Sequence, residues 1–373
     1  MDLEAKDEDF MREALKEASK GLGRTSPNPA VGAVIVREGR IVARGFHHRA
    51  GSLHAEIEAL NRLKDPRVND TLYVTLEPCN HYGKQPPCTE AILKSGIGRV
   101  VVGMKDPNPM VTGGGSEFLK RHGVSVTEGV LEKECRKLNE SFIKFVTSKH
   151  PFVIIKSALT IDGWTATSTG HSKWITNEKS RAFVHHLRNM ADAVMVGVGT
   201  VLSDDPMLTV RSVHGEVKDP VRIIVDTHLR TPSNSNVVNH TSSAKTIIAV
   251  GADEVSEERC SLFTQKKGVS LLFCPVKDGR IDLKAMMNLL ADMDIMSVLV
   301  EGGASLVGSL LRERIPDKFY IFKAPKILGG DDGFPMASGP GPRTMKDCLN
   351  LKDINLMRFD DDIMIEGYPD WVN

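Results

Sequence analysis

The run Thr71-Leu72-Tyr73-Val74-Thr75-Leu76, continued by Glu77-Pro78-Cys79, then Cys88 and a second apolar run, Arg99-Val100-Val101-Val102-Gly103, decides the fold of the first third of the chain. Two apolar, β-branched runs of strand length flank residues 88–96, which read as a helix with a glycine stop. Strand, helix, strand is the unit of a layered α/β sheet. The alternation extends in both directions. Upstream, Phe10-Met11, Ala14-Leu15 and Ala18 lie at helical spacing, with Gly21 as a stop. Residues 31–36 and 41–44 read as two strands joined by a turn at Glu38-Gly39. Ile57, Leu60 and Leu63 mark a helix opening near His54. Downstream come a helix at 116–121, a strand at 124–128, and a helix with a short linker over 132–149. An α/β layer sandwich is expected.

His150-Pro151 then punctuates the chain. We expect the domain boundary there, giving domains 1–149 and 150–373. The second half restarts with a strand at 152–159. Strand-like runs recur at 193–198, 221–225, 246–250, 269–273, 297–300, 319–322 and 363–365, with helical patterns at 178–190, 283–293 and 305–312. This reads as a second α/β domain with its own sheet.

Length and charge fit a two-domain enzyme. The 373 residues carry 48 basic and 48 acidic side chains, so the chain has no electrostatic footprint for a nucleic-acid backbone. No apolar run reaches bilayer length. The acidic start, Met1-Asp2-Leu3-Glu4, lacks the apolar stretch of a signal peptide, and a cytoplasmic location is expected. Among six cysteines only Cys79 and Cys88 form a close pair, which in a reducing compartment points to metal binding or catalysis.

His54-Ala55-Glu56 precedes that pair. One imidazole and two thiolates suit Zn²⁺, and three protein ligands leave a fourth position for water, whose pKa zinc lowers towards neutrality. Glu56 is best used to accept the water proton and return it to leaving ammonia, the work of the non-ligand glutamate in zinc deaminases. Helix starts near His54 and Cys88 favour thiolate. The bland reading is a structural zinc site, with His81 as the best fourth ligand, or a chance grouping. Zinc deaminases often have two residues between the cysteines. Here there are eight, Asn80 to Pro87, a polar, basic, proline-stiffened loop long enough to wall a pocket.

With that loop, Ser26-Pro27-Asn28-Pro29-Ala30-Val31-Gly32-Ala33, Gly45-Phe46-His47 and Asp106-Pro107-Asn108-Pro109, the sequence resembles the bifunctional riboflavin biosynthesis deaminase/reductases. It departs from the commoner pattern at Lys84-Gln85, where Arg-Thr is frequent, and at Leu53, where Pro is frequent. The resemblance implies a cytidine-deaminase-like three-layer αβα domain. It also makes Asn28, His47 and Lys84 substrate contacts. From the residues alone, Asn28 reads equally as a turn residue and His47 as an exposed strand-end histidine.

In the second half, a strand running into Glu301, then Gly302-Gly303 and a helix, forms a possible anion seat, although a plain strand–helix connection reads as well. The resemblance continues through Lys156 to Gly163, Gly170 to Thr176, Asp204 to Arg211, and Ala324-Pro325-Lys326-Ile327-Leu328-Gly329-Gly330. It departs at Thr160-Ile161, where Ser-Leu is usual. It implies a dihydrofolate-reductase-like α/β domain that uses NADPH. Ala158, Trp174, Thr200, Asp204, Thr227, Gly303, Ala304, Ser305, Leu306, Val307, Gly308 and Ser309 would contact the cofactor. Ser172, Arg188, Leu208, Arg211 and Glu301 would hold the sugar phosphate. Arg188 lies on a helix with Phe183, Leu187 and Met190 as its apolar face, so it is expected to point away from the core. Lys156 and Glu301 are the candidate proton carriers, with Asp204 an alternative. For Trp174 the residues alone suit core packing as well.

The implied reactions are hydrolysis of the 2-amino group of a diaminopyrimidinone ribosyl phosphate, then reduction of its ribosyl side chain to ribityl. The partners implied are small phosphorylated pyrimidines and copies of the chain in a homo-oligomer, with no nucleic acid and no membrane. Two other classes remain open on the residues. A deaminase of free or RNA bases would release ammonia from cytidine, guanine or transfer RNA. A zinc-stabilised binding module would be indifferent to loss of Glu56. Activity in only one half is a further alternative.

Overall fold

The structure is a computed structural model that describes residues 3–82, 86–109, 114–211, 216–239 and 242–371. The chain divides into two compact units, Met1–Lys149 and His150–Asn373.

In the first unit the elements follow as α1 (Leu3–Ser19), β1 (Gly32–Arg37), β2 (Arg40–Phe46), α2 (Ala55–Arg62), β3 (Thr71–Leu76) and α3 (Cys88–Ser95). Then come β4 (Arg99–Met104), α4 (Gly115–Arg121), β5 (Ser125–Glu128), α5 (Glu132–Leu138) and α6 (Glu140–Ser148). The sheet order is β2-β1-β3-β4-β5. The β1–β2 hairpin and the β1–β3 pair are antiparallel, and β3–β4–β5 run parallel. Strand centres are buried on both faces (Val34, Ile35, Val74, Val101), which requires helices above and below. α1 and α5 contact one another and the central strands, while α2, α3 and α4 form a second chain of contacts. The unit is a three-layer αβα sandwich.

Two local features set the position of α2. An added Cβ at Gly45 would lie 2.3 Å from the Ala55 carbonyl oxygen and 2.6 Å from the Ala59 nitrogen, so only glycine lets β2 and α2 approach this closely. Glu58 on α2 accepts the Phe46 N–H at 2.7 Å, tying the end of β2 to the helix. On the other side, Asp7 of α1 is forked by Arg99 (2.9 and 2.6 Å) and accepts the Tyr73 hydroxyl at 2.8 Å.

The segment 132–149 differs from expectation. It forms two helices, broken at Asn139, whose side chain accepts the Ala30 N–H and donates to the Ala30 carbonyl. That tertiary bond fixes Asn139 outside helical geometry, at φ −109°.

The second unit contains β6 (Phe152–Thr160), β7 (Trp164–Ala166), α7 (Glu178–Met190), β8 (Ala193–Gly197), α8 (Val198–Asp204), β9 (Val221–Val225), β10 (Thr246–Gly251), α9 (Glu257–Thr264) and β11 (Val269–Cys274). It continues with β12 (Val276–Lys277), β13 (Arg280–Ile281), α10 (Leu283–Ala291), β14 (Ser297–Val300), α11 (Ala304–Arg312), β15 (Lys318–Ala324), β16 (Phe334–Pro335), a 3₁₀ turn at Met345–Asp347, β17 (Asn350–Phe359) and β18 (Asp362–Asp370). The main sheet order is β11-β10-β9-β8-β14-β6-β15-β18-β17. Strands β11 to β15 in that order are parallel, and β18 and β17 are antiparallel. This is a dihydrofolate-reductase-like mixed sheet, with β14 and β8 at its centre.

Candidate active sites

In the first unit the site lies where β3 ends and α2 and α3 begin. His54 caps α2, and Cys88 opens α3. Cys79 follows β3, and its sulfur accepts the Cys88 N–H at 3.3 Å. His54 Nδ1 lies 3.2 Å from Cys88 Sγ and 3.5 Å from Cys79 Sγ. The three ligand atoms are within 4.8 Å of one another, and this is the one such His/Cys/Asp/Glu group found among the described residues. The donor set therefore fits a tetrahedral metal with one position open. His81 is exposed and stands outside the group.

Glu56 is 3% exposed and touches the same cluster through the Cys88 thiol. Burial pushes its carboxyl up to about 7, with the neighbouring His54 pulling the other way. Hydrogen bonds from the Cys88 side chain, and then from His54 and the Cys88 N–H, hold the Cys79 thiol well below its ordinary range against the cost of burial. His47 is buried at 3%, not an exposed strand end, and burial lowers its pKa. Its Nε2 lies 3.1 Å from Asn28 Nδ2, and its ring meets His54 edge-on at 5.6 Å. The structure thus brings Asn28, His47, His54, Glu56, Cys79 and Cys88 together. Lys84 lies outside the described residues.

Sequence reasoning missed Glu77. Its carboxylate accepts the Asp106 N–H at 3.2 Å and the Ser116 N–H at 3.0 Å, clamping the Cys79 loop to the 105–109 loop and to the start of α4. The signal available was a charged residue directly before Pro78-Cys79, at a strand end.

In the second unit a cavity of about 1390 Å³ opens at the C-terminal ends of the parallel strands. Ligands of open α/β sheets bind at such ends, and the volume exceeds that of a typical single-ligand pocket. Lys156, Ala158, Ser172, Trp174, Arg188, Thr200, Asp204, Leu208, Thr227, Glu301, Gly303 to Val307 and Ser309 all line it. Gly308 does not; an added Cβ there would strike the Ser338 carbonyl at 2.0 Å, so its role is packing. Arg211 is exposed and also lies outside the lining. Gly302 and Gly303 have φ of 143° and 85°, and α11 starts directly after them. This backbone turn and helix N-terminus make a cradle that fits a pyrophosphate.

Arg188 departs from expectation. It does not face solvent. Its Nε and Nη2 fork onto Glu301, the latter at 2.9 Å, and Nη1 donates to the Thr209 carbonyl at 2.9 Å. Both side chains are buried, at 13% and 6% exposure. Burial raises the Glu301 carboxyl, but the Arg188 charge and hydrogen bonds, with Lys156, outweigh this and hold it below its ordinary value. Burial lowers the Lys156 ammonium against the pull of Glu301. Trp174 is 64% exposed, not a core residue, with the Arg181 guanidinium 4.5 Å from its ring centre.

Comparison with known proteins gives these two sites a common context. Residues 4–104 match the cytidine and deoxycytidylate deaminase zinc-binding region, and residues 151–365 match the RibD C-terminal domain. The riboflavin biosynthesis protein RibD of Aquifex aeolicus is 44% identical over 96% of this chain and 97% of its own. That of Actinobacillus pleuropneumoniae is 41% identical over 96% and 94%. The chain belongs to the RibD family of bifunctional riboflavin biosynthesis deaminase/reductases. A crystal structure of a diaminohydroxyphosphoribosylaminopyrimidine deaminase/5-amino-6-(5-phosphoribosylamino)uracil reductase from Thermotoga maritima superposes with a TM-score of 0.86, at 39% identity, over 98% of this chain and 99% of that one. The chain is thus a hydrolase and an oxidoreductase of riboflavin biosynthesis. Its deaminase region contains the His/Cys/Cys group, which supports zinc as the metal. Its reductase region implies a nicotinamide cofactor. No helix among the described residues is long and apolar enough to cross a membrane.

Proposed function

We propose that the deaminase site hydrolyses the 2-amino group of a diaminopyrimidinone ribosyl phosphate, and that the reductase cavity then converts the ribosyl chain to ribityl with NADPH. The carrying observation is the convergence of His54, Cys79 and Cys88 beside the buried carboxyl of Glu56. In this reading those three residues hold Zn²⁺, which supplies the Lewis acidity that makes water reactive near neutral pH. Glu56 accepts a proton from that water and delivers it to the departing amino group. The water oxygen becomes the ring carbonyl oxygen, and nitrogen leaves as ammonia. Asn28 and His47 border the same site and position the pyrimidine. Lys84, by its charge, suits the substrate phosphate.

In the second unit, Gly303 to Val307 and Ser309 seat the cofactor pyrophosphate. Ala158, Trp174, Thr200, Asp204 and Thr227 line its course, and Gly308 supports the helix. NADPH supplies the hydride. Lys156 and Glu301 manage protons at the sugar carbon, with Arg188 keeping Glu301 ionised. Ser172, Arg188, Leu208, Arg211 and Glu301 remain our candidates for the sugar phosphate. All six cysteines are free, which accords with a reducing cytoplasm.

Glu56→Gln tests the first step. The variant should lose deamination about 10²- to 10⁴-fold while binding zinc and reducing the supplied deaminated intermediate at the wild-type rate. Undiminished ammonia release would refute the assignment. Mass analysis of wild-type products should show a gain of about one mass unit without NADPH, then about two more with it, the balances of hydrolysis and hydride reduction.

A further inference from the structure

One end of the reductase cavity, next to Thr227, is basic, and its arginines are unused by the assignments above. The order of strands shows what faces it. The pyrophosphate seat at the start of α11 follows β14. On one side of β14 lies β6, which carries Lys156 and Ala158; on the other lie β8, then β9, then β10. A dinucleotide held by its middle at α11, with its nicotinamide towards Lys156, would extend its adenosine towards β8 and β9. Adjacent strands lie about 4.8 Å apart, so β9 is roughly 10 Å from β14.

The chain leaving β9 presents Thr227, His228 and Arg230 to the cavity. The β12–β13 hairpin joins it there, since the Ile281 N–H donates to Thr227 Oγ1 at 3.4 Å, which sets Arg280 one residue from that bond. Most charges nearby are already engaged. His228 faces Glu254 at 3.3 Å, Asp282 caps α10 through the Ala285 N–H, and Arg259 is spent on the Leu229 and Thr231 carbonyls. On the hairpin, Lys277 offsets Asp278 in sign. Arg230 and Arg280 are exposed and line the cavity, and their side chains have no hydrogen bond or ion pair among the described residues. Two open guanidinium forks on neighbouring segments of the cavity wall suit a phosphate dianion, which such forks bind in planar, charge-assisted fashion.

We propose that Arg230 and Arg280 bind the 2′-phosphate of the cofactor and set the preference for NADPH over NADH. This rests on the reading that the second unit reduces with a nicotinamide dinucleotide. The test measures kcat/KM for NADPH and for NADH in wild type, Arg230→Gln, Arg280→Gln and the double variant, with the deaminated ribosylaminouracil phosphate as substrate. Each single change should lower the NADPH/NADH ratio about 10- to 100-fold, the worth of one charge-assisted hydrogen bond. Arg280→Lys should restore part of it. On wild type, adenosine 2′,5′-bisphosphate should bind at least about tenfold tighter than 5′-AMP on the same scale, a measurement that does not depend on how the variants fold. An unchanged ratio in the variants, or equal binding of the two adenosine phosphates, overturns the proposal. A wild-type enzyme that oxidises neither dinucleotide refutes the reductase reading itself; one that oxidises both with equal kcat/KM refutes the specificity assignment alone.

Discussion

Replacing Gly45 by alanine moves the deaminase machinery without touching it. The new Cβ would sit 2.3 Å from the Ala55 carbonyl oxygen, 2.6 Å from the Ala59 nitrogen and 3.0 Å from the Glu58 Cβ. Carbon–oxygen contacts tighten to about 3.3 Å, so α2 must withdraw from β2 by about 1 Å. That helix begins directly after His54 and carries Glu56. Misplacing reacting groups by about 1 Å costs about 100-fold in rate. The overpacking itself costs about 1–3 kcal/mol, which a domain stable by about 5–15 kcal/mol survives. Ammonia release from the diaminopyrimidinone substrate should therefore fall about 100-fold, with reduction of the supplied intermediate unchanged. Zinc content and melting temperature, measured alongside, show that the protein is folded. A folded Gly45→Ala protein that deaminates within about threefold of wild type, well short of that loss, would refute the claim that this backbone contact places Glu56.

Prolonged dialysis against a chelator should abolish ammonia release and leave reduction of the supplied deaminated intermediate intact, as followed at the nicotinamide absorbance band. Arg188→Met strands the Glu301 carboxylate in a buried site, a loss of about 3–5 kcal/mol; thermal unfolding should show a lower midpoint for the second unit and an unaffected first. Asp7 is pushed up by burial, but hydrogen bonds from Arg99 and Tyr73 and the Arg99 charge win, so its folded pKa lies below the ordinary value. Its contribution is therefore present above the unfolded carboxylate pKa of about 3.9 and lost as pH falls through the lower folded value. In urea titrations, wild type should be more stable than Asp7→Asn at pH 7, and the gap should close in acid below about pH 4.

What the sequence revealed depended on where the determining contacts lie. β3, β9, β14 and α7 are buried or strongly amphipathic, and periodicity located each within its observed bounds. β17 has no such pattern. It is an edge strand with both faces largely exposed, so no apolar alternation marks it in the sequence. Asn139 carries no local helix-breaking signal, because its break comes from a bond to Ala30 more than a hundred residues away. The His54, Cys79 and Cys88 grouping was legible because the fold closes it over 35 positions, with each residue at the end of an element the sequence already implied. The partner of Arg188 was not legible for the opposite reason. Its helix position suggested solvent, whereas its partner, Glu301, is 113 residues distant. Glu77, and the hairpin that carries Arg280, act through backbone contacts that side-chain chemistry alone does not announce.

The way the deaminase unit holds its three metal-binding side chains has a thermodynamic consequence. Each is anchored by a helix start or a strand end around a core that includes Val34, Ile35, Val74, Ile92 and Val101. In small zinc domains, metal capture and chain folding are one event, and binding energy is consumed in ordering the chain. Here the ligands stand on elements packed into a core that does not include the metal, so less of the free energy of capture is consumed in ordering the chain and more appears as affinity. Free zinc above its dissociation constant then acts as a mass-action stabiliser of this unit alone, adding about 1.4 kcal/mol for every tenfold rise in concentration. Zinc supply would set how much enzyme can deaminate while leaving the reductase half at full strength.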